Sequence, residues 1–243
     1  NRVARRRLLQ GAASLPLVMS ITSRPAWARR QCRLPLQERL LQQPLPRRGA
    51  RVEDLEMVAL DFETTGLDPD TDQVIAAGWV LLRGDRIIMA SAREVRVRTS
   101  MPAGVGQSAV IHGIVDSDLD DADSVESMLE HLLPELAGRP IVTHAVAIER
   151  GFLNALLRRL GGVPLPNPFI DTMALERHLI EAHGGSVREM HGDLVLDACR
   201  ARRQLPGHNR HSAGADAVAC AELLLAQIDQ LGGARSTRLR ELL

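Results

Sequence analysis

From residue 55 onward, the order of apolar and polar positions divides the chain into recognisable elements. Leu55 to Glu63, LEMVALDFE, is an apolar run that ends in charge and predicts a strand. Gln73–Leu82 and Arg86–Arg98 predict two more, joined by Arg83-Gly84-Asp85, a short turn of hairpin type. Helical spacing follows from Asp123 to Leu136, where Val125, Met128, Leu129, Leu132 and Leu133 share one face. A short apolar strand, Pro140–His144, precedes a helix from about Ala147 to Leu160. Phe169-Ile170-Asp171 predicts a fifth strand, followed by a helix from Thr172 to about His183. The last helix spans Ala213–Leu231 and stops at Gly232-Gly233. Three hairpin-connected strands followed by alternating helices and strands predict an α/β fold, with a mixed sheet flanked by helices.

Composition narrows what such a fold can do. Hydrophobic residues make up 45% and charged residues 25% of the 243 residues, as in ordinary globular proteins, and the sequence contains no long apolar run of the kind that spans a bilayer. Aromatic residues are few: Trp27, Trp79, Phe62, Phe152 and Phe169, with no tyrosine. This disfavours a surface built mainly of base-stacking platforms. All 30 basic residues are arginine, which reads as coding bias first and phosphate recognition second. Cys32, Cys199 and Cys220 are widely spaced and form no CxxC pair, which argues against a disulfide framework or structural zinc and favours a reducing compartment.

The zero net charge conceals an asymmetry. Residues 1–52 carry 12 arginines and one acid, Glu38, for a formal +11, and residues 53–243 carry the balancing −11. A basic arm on an acidic body is expected, and an acidic body that handles a polyanion needs cations in its site. Within the arm, Arg5-Arg6-Arg7-Leu8-Leu9, a moderately apolar stretch and Ala26-Trp27-Ala28 have the outline of a twin-arginine-like export signal. A basic arm that stays in the cytoplasm is the expected reading. An upstream extension with an internal start at Met19 is a further one. Pro44, Pro46 and Gly49 mark a linker.

The strongest chemical signal is Asp61-Phe62-Glu63-Thr64-Thr65-Gly66-Leu67. Positions two apart on a strand share a face, so Asp61 and Glu63 project together and Phe62 points away. Paired carboxylates at a strand end repel each other unless cations lie between them, and such hard oxygen ligands suit Mg²⁺ or Mn²⁺. Thr64-Thr65-Gly66 predicts a turn whose backbone can approach a ligand. On its own, Asp-x-Glu is more often a solvated strand end. A second group stands at His211 and Asp216, and both reach one site if His211 lies in the loop before the last helix. His208 and His211 also raise a zinc reading, which no cysteine pair completes.

Together these residues resemble the DnaQ-like (DEDDh) 3′–5′ exonuclease family, DNA polymerase III epsilon-like, over about Met57 to Leu231. The resemblance rests on Asp61-x-Glu63 with Thr-Thr-Gly and on His211-x4-Asp216. Between them lie Val110-Ile111-His112-Gly113-Ile114, similar to a stretch beside the 3′ terminus, and Thr143-His144 with Phe152-Leu153, similar to the middle motif. Where the family usually has asparagine and aspartate, this chain has Ala145 and Glu149.

The resemblance implies a ribonuclease H-like five-stranded sheet, three antiparallel strands and then two parallel. It also implies two divalent ions, Mg²⁺ or Mn²⁺, on Asp61, Glu63, Glu149 and Asp216, with His211 as general base. Thr64, Thr65, Gly66 and Leu67 would hold the terminal nucleotide, with Leu67 or Ile114 on its base or sugar and His112 in support. The expected partner is single-stranded or 3′-ended nucleic acid, with a DNA polymerase as a further one, and no membrane. The expected domains are an arm at 1–52, the exonuclease body at 53–232 and a tail at 233–243. The changes at Ala145 and Glu149 motivate one alternative, a non-catalytic nucleic-acid-binding module on the same fold.

Overall fold

The computed structural model describes residues 31–99, 114, 118–186, 193–209 and 211–243. Five strands form one mixed sheet in the order β3-β2-β1-β4-β5. β1 (Glu56–Thr64), β2 (Val74–Arg83) and β3 (Arg86–Arg96) are antiparallel neighbours, whereas β4 (Ile141–Thr143) and β5 (Phe169–Asp171) run parallel to β1. The β2–β3 connection is the two residues Gly84-Asp85, and Gly84 takes a φ of 60° that a hairpin turn of this length requires.

The sheet is covered on both faces, and β1 shows why its residues alternate as they do. Val58, Leu60 and Phe62 join a core with α2 (Val125–Leu136) and α3 (Val146–Arg159). Met57 and Ala59 join the opposite core with α4 (Thr172–Ala182) and α6 (Ala213–Gln230). Period-2 alternation therefore continues the Met57/Ala59 row into Asp61 and Glu63, on the side of the sheet that carries α6. α6 lies close to the strands because its buried positions include Ala213, Ala217 and Ala221, whose small side chains let backbone approach backbone. It ends at Gly232 and Gly233, with φ of 104° and 83°, left-handed values suited to a helix stop.

Two elements absent from the sequence-based expectation complete the body. α1 (Pro35–Gln42) lies within the stretch expected to be an arm, and its residues Leu40 and Leu41 are buried against α2. Gln37 is wholly buried and clasps Val163, donating to its carbonyl and accepting from its N–H at 2.8 Å. α5 (Leu196–Arg202) is tied to α4 by Arg202 and by neighbouring Arg203, both of which pair with the buried Glu176. Residues 233–243 also pack on the body: Leu239 and Leu242 are buried, and Leu239 N–H bonds Ala50 O at 2.9 Å. A regular body therefore begins at least as early as α1 and takes in the C-terminal segment, because both supply apolar side chains to the two cores.

Candidate active site

The site stands at the carboxyl ends of the three parallel strands, where open α/β sheets bind ligands. β1 delivers Asp61 and Glu63. Its regular register with β2 breaks between Glu63 and Thr64, so the chain peels away into the Thr64–Leu67 turn. That turn is held by Thr64 Oγ1 donating to Gly66 O at 2.6 Å and by Thr65 N–H bonding Gln73 O at 2.9 Å. A side chain at Gly66 would meet the carboxylate of Asp72 at 2.4 Å, so a larger residue there would have to displace that carboxylate from its place in the turn. Leu67 beyond it is 78% exposed, an apolar side chain presented to solvent beside the carboxylates.

From β4 the chain turns through Ala145 into α3, and the first turn of that helix carries Glu149. Glu149 is buried, and among the described residues its Oε2 has no hydrogen-bond partner. Asp171, at the end of β5, sets this geometry from behind. Its Oδ1 accepts from Ala145 N–H at 3.1 Å and Met173 N–H at 2.9 Å, and its Oδ2 accepts from Val146 N–H at 3.1 Å. One carboxylate thus caps α4 and holds the entrance of α3. His144 ties the same corner to the loop before α5, through Thr172 Oγ1 at 2.9 Å and Leu194 O at 2.8 Å. Burial lowers its pKa, against the raising effect of its bond to Leu194 O and of nearby carboxylates.

The final contribution comes from the start of α6. His211 precedes the N-cap Ser212 with a left-handed φ of 63°, and its N–H bonds Asp216 Oδ2 at 3.0 Å. This bend turns its imidazole back toward the first helical turn. Side-chain atoms of Glu63, His211 and Asp216 consequently lie within 4.8 Å of one another. The condition the sequence set for His211, a place in the loop before the helix, is met.

Electrostatics at this corner are strained in one direction. Burial, and then repulsion from Glu149, Asp216, Glu63 and Glu94, hold Asp61 well above the usual carboxylate range. Burial, with Asp216 and Glu94, pushes Glu63 up to about 7. Burial, with Asp171 adding to it, pushes Glu149 up to about 8. Carboxylates crowded in this way, one with an unpartnered buried oxygen, are a fitting donor set for hard divalent cations.

Not every residue singled out from the sequence lies in this cluster. Ile114 is 5% exposed and packs with Ile75, Ala76, Leu119 and Ala213, which makes it part of a small core rather than a free contact surface. His112 lies outside the described residues. The Nε2 of His208 donates to Asp216 Oδ1 at 2.6 Å, and Asp197 lies 3.4 Å from its other ring nitrogen. The sequence did not signal this support, nor the nearness of Glu94, whose charge adds to the repulsion on Asp61 and Glu63. Asp171 left a weak signal, an aspartate just before a helix.

Residues 58–224 match the sequence model of the RNase T family, described as exonuclease. The chain belongs to this exonuclease family. Exonuclease-family membership accords with the DnaQ-like resemblance, and curated relatives include PolC-type DNA polymerase III proteins. That of Thermotoga maritima is 29% identical over 189 residues, covering 78% of this chain and 13% of the relative. That of Bacillus cereus is 30% identical over 122 residues, covering 50% of this chain and 8% of the relative. The chain thus spans a small fraction of the length of these relatives. Among solved structures, the nuclease domain of 3′hExo, a DEDDh family member bound to rAMP, has a TM-score of 0.61 at 16% identity, over 75% of this chain and 94% of that one. Exonuclease X in complex with 5′ overhanging duplex DNA has a TM-score of 0.56 at 21% identity, over 77% of this chain and 99% of that one. The exonuclease fold here is therefore the ribonuclease H-like one, with the mixed sheet that the sequence predicted. Among the described residues, no helix is long and apolar enough to cross a membrane.

Proposed function

We propose that the chain is a metal-dependent 3′–5′ exonuclease that hydrolyses terminal phosphodiesters of DNA or RNA to nucleoside 5′-monophosphates. The observation that carries the reading is the convergence of Glu63, His211 and Asp216 within 4.8 Å, together with the repulsion that Glu149, Asp216 and Glu63 exert on buried Asp61. Asp61, Glu63, Glu149 and Asp216 would hold two divalent ions, Mg²⁺ or Mn²⁺. When bound, the ions supply positive charge for the phosphate and for the leaving 3′ oxygen.

The remaining steps fall to the chain's own groups. An imidazole nitrogen of His211 takes a proton from the attacking water, whose oxygen forms the new bond to phosphorus as the bond to the 3′ oxygen breaks. The His211 N–H held by Asp216 fixes the residue in its left-handed bend, so the base is positioned before substrate arrives. The Thr64–Leu67 backbone backs the terminal nucleotide, with exposed Leu67 against its base or sugar. Similarity to PolC-type DNA polymerase III supports DNA as the polymer and editing or repair as the setting, with a polymerase as a candidate partner.

The test is a time course on a 5′-labelled single-stranded DNA oligonucleotide and on its RNA counterpart, with Mg²⁺, Mn²⁺ or EDTA. A metal-dependent ladder that shortens from the 3′ end, absent in Asp61→Ala, is the expected result. Folded protein that cleaves neither polymer with either metal would overturn the reading in favour of a non-catalytic nucleic-acid-binding module.

A further inference from the structure

Asp61 on β1, Gly78 on β2 and Glu94 on β3 are direct cross-strand partners, forming one transverse row of the sheet. The row ends in a carboxylate at each side and has no side chain at its centre. α6 begins in that gap. A Cβ on Gly78 would stand 2.0 Å from the Ala213 carbonyl carbon and 2.2 Å from Gly214 N, so the backbone of the first helical turn rests on the strand itself. Glu94 closes the far side. One of its oxygens, Oε2, accepts from Ser212 Oγ at 2.6 Å and from Gly214 N–H at 2.8 Å. Gly214 packs closely on the same side chain: a Cβ there would meet that oxygen at 3.1 Å and Glu94 Cβ at 3.2 Å, so Glu94 would have to give by a few tenths of an ångström.

We propose that Glu94 is a positioning residue. It clamps the start of α6 into the gap over Gly78, and so sets His211 and Asp216 against Asp61 and Glu63. Ser212 caps the helix from within, its Oγ accepting from Ala215 N–H. Glu94 is a second cap from another element, bonded both to the capping hydroxyl and to a free N–H of the first turn. The two bonds fall on the residues between His211 and Asp216, the pair whose separation along the chain must fold back onto one site. A negative charge so close to Asp61 and Glu63 adds to their repulsion, so its presence there is accounted for by the helix it holds rather than by comfort within the site. The inference rests on the nuclease reading for its catalytic consequence, but not for the clamp.

The experiment compares wild type, Glu94→Ala and Glu94→Gln as full chains. Both bonds go to one oxygen, so the glutamine amide oxygen can accept both, whereas alanine accepts neither. Hydrogen exchange of the Ser212–Asp216 amides is followed by mass spectrometry without metal. Glu94→Ala is expected to exchange roughly tenfold faster, the factor that loss of a helix cap brings, with Glu94→Gln near wild type. In the oligonucleotide assay Glu94→Ala should lower kcat by about 10- to 100-fold with KM within about threefold, as a small misplacement of catalytic groups does, and Glu94→Gln should restore it. Its Mn²⁺ requirement for half-maximal rate should rise, again with rescue by glutamine. Exchange unchanged in Glu94→Ala, or Glu94→Gln as impaired as Glu94→Ala, would overturn the clamp. Faster exchange in Glu94→Ala with no turnover even in wild type would uphold the clamp and overturn the nuclease reading.

Discussion

The carboxylate of Asp171 accepts a hydrogen bond from the N–H of Ala145 at 3.1 Å, and Ala145 has a φ of 74° and a ψ of 68°. Left-handed backbone of this kind costs a residue with a Cβ about 1–2 kcal/mol relative to right-handed geometry, a cost that glycine escapes and asparagine tolerates. The bond to Asp171 helps to hold alanine in this conformation. Ala145→Gly is therefore expected to raise stability by about 0.5–1 kcal/mol, net of the added freedom of glycine in the unfolded chain. That is a gain of about 1–4 °C in Tm for a domain of this size. Ala145→Asn, which restores the residue usual in the DnaQ-like pattern, should act in the same direction. Thermal melts in which both variants lie below wild type would show that the corner is not strained.

Asp171 itself should be more costly to change. Its two oxygens serve N–H groups at the start of α3 and of α4, so Asp171→Ala leaves both helix entrances uncapped. A loss of about 1–4 kcal/mol is expected, twice the usual range for one cap. Asp171→Asn keeps one acceptor oxygen and should lose less than Asp171→Ala. Denaturant unfolding of the three proteins measures the difference, and equal stability of Asp171→Ala and wild type would contradict the double-cap role.

The sequence disclosed the elements and carboxylates whose signals are local. β1 was legible because its apolar run ends in charge, and Asp61 and Glu63 because a period of two puts them on one face of it. α5 was missed because seven residues are too few for a helical period to stand out from a polar background. α1 was read as part of an arm because arginines and Pro35 surround it, while its buried face is only Gln37, Leu40 and Leu41. Glu94 and Gly78 owe their roles to neighbours that are distant in the chain, and His208 owes its role to the bend that turns it back onto Asp216. Gly78 meets Ala213 only after the sheet and α6 have come together, so the glycine inside an otherwise apolar strand was its sole trace.

The crowding of carboxylates predicts an unusual pH dependence of stability in protein free of divalent ions. Glu149 and Glu63 have folded pKa values of about 8 and about 7, above the ordinary carboxylate value of 4.5 that the unfolded chain would show. Between these limits the folded state retains protons that the unfolded state has released, so stability falls as pH rises from about 4.5 to about 8. Glu149→Gln removes one of the two groups and should flatten the fall, raising stability at pH 8 relative to wild type. Divalent ions should do likewise, by stabilising the ionised forms. Denaturation with EDTA at several pH values tests this, and a stability that increases over this range in wild type would refute it.

Substitutions at the site should separate chemistry from folding. Asp61→Ala or Asp216→Ala is expected to abolish turnover while leaving the protein folded, and activity within tenfold of wild type would remove either residue from the metal set. His211→Ala should slow the reaction by ~10²–10⁴-fold, the usual contribution of a general base. His208→Ala removes the 2.6 Å bond to Asp216 without removing an expected metal ligand. It should therefore be milder than Asp216→Ala. A His211→Ala rate near that of wild type would make that histidine a bystander and leave the carboxylates to act without it.

Two truncations should part company, and they divide the basic N-terminal segment by function. Residues 1–30 hold seven arginines and no acid. Residues 31–52 include Cys32, Leu40 and Leu41 in one core, Val52 in the other, and Gln37 on Val163. Deleting 1–30 should weaken nucleic-acid binding and flatten its salt dependence, as loss of phosphate contacts does. Deleting 1–52 should in addition strip several buried apolar side chains from the sheet, at about 1.5–3 kcal/mol each, enough to leave the domain largely unfolded. Circular dichroism melts and binding titrations at several salt concentrations give the comparison. Equal salt slopes for the full chain and the shorter deletion would show that the arginines make no phosphate contact, and equal melts for the two deletions would show that α1 adds nothing to the fold.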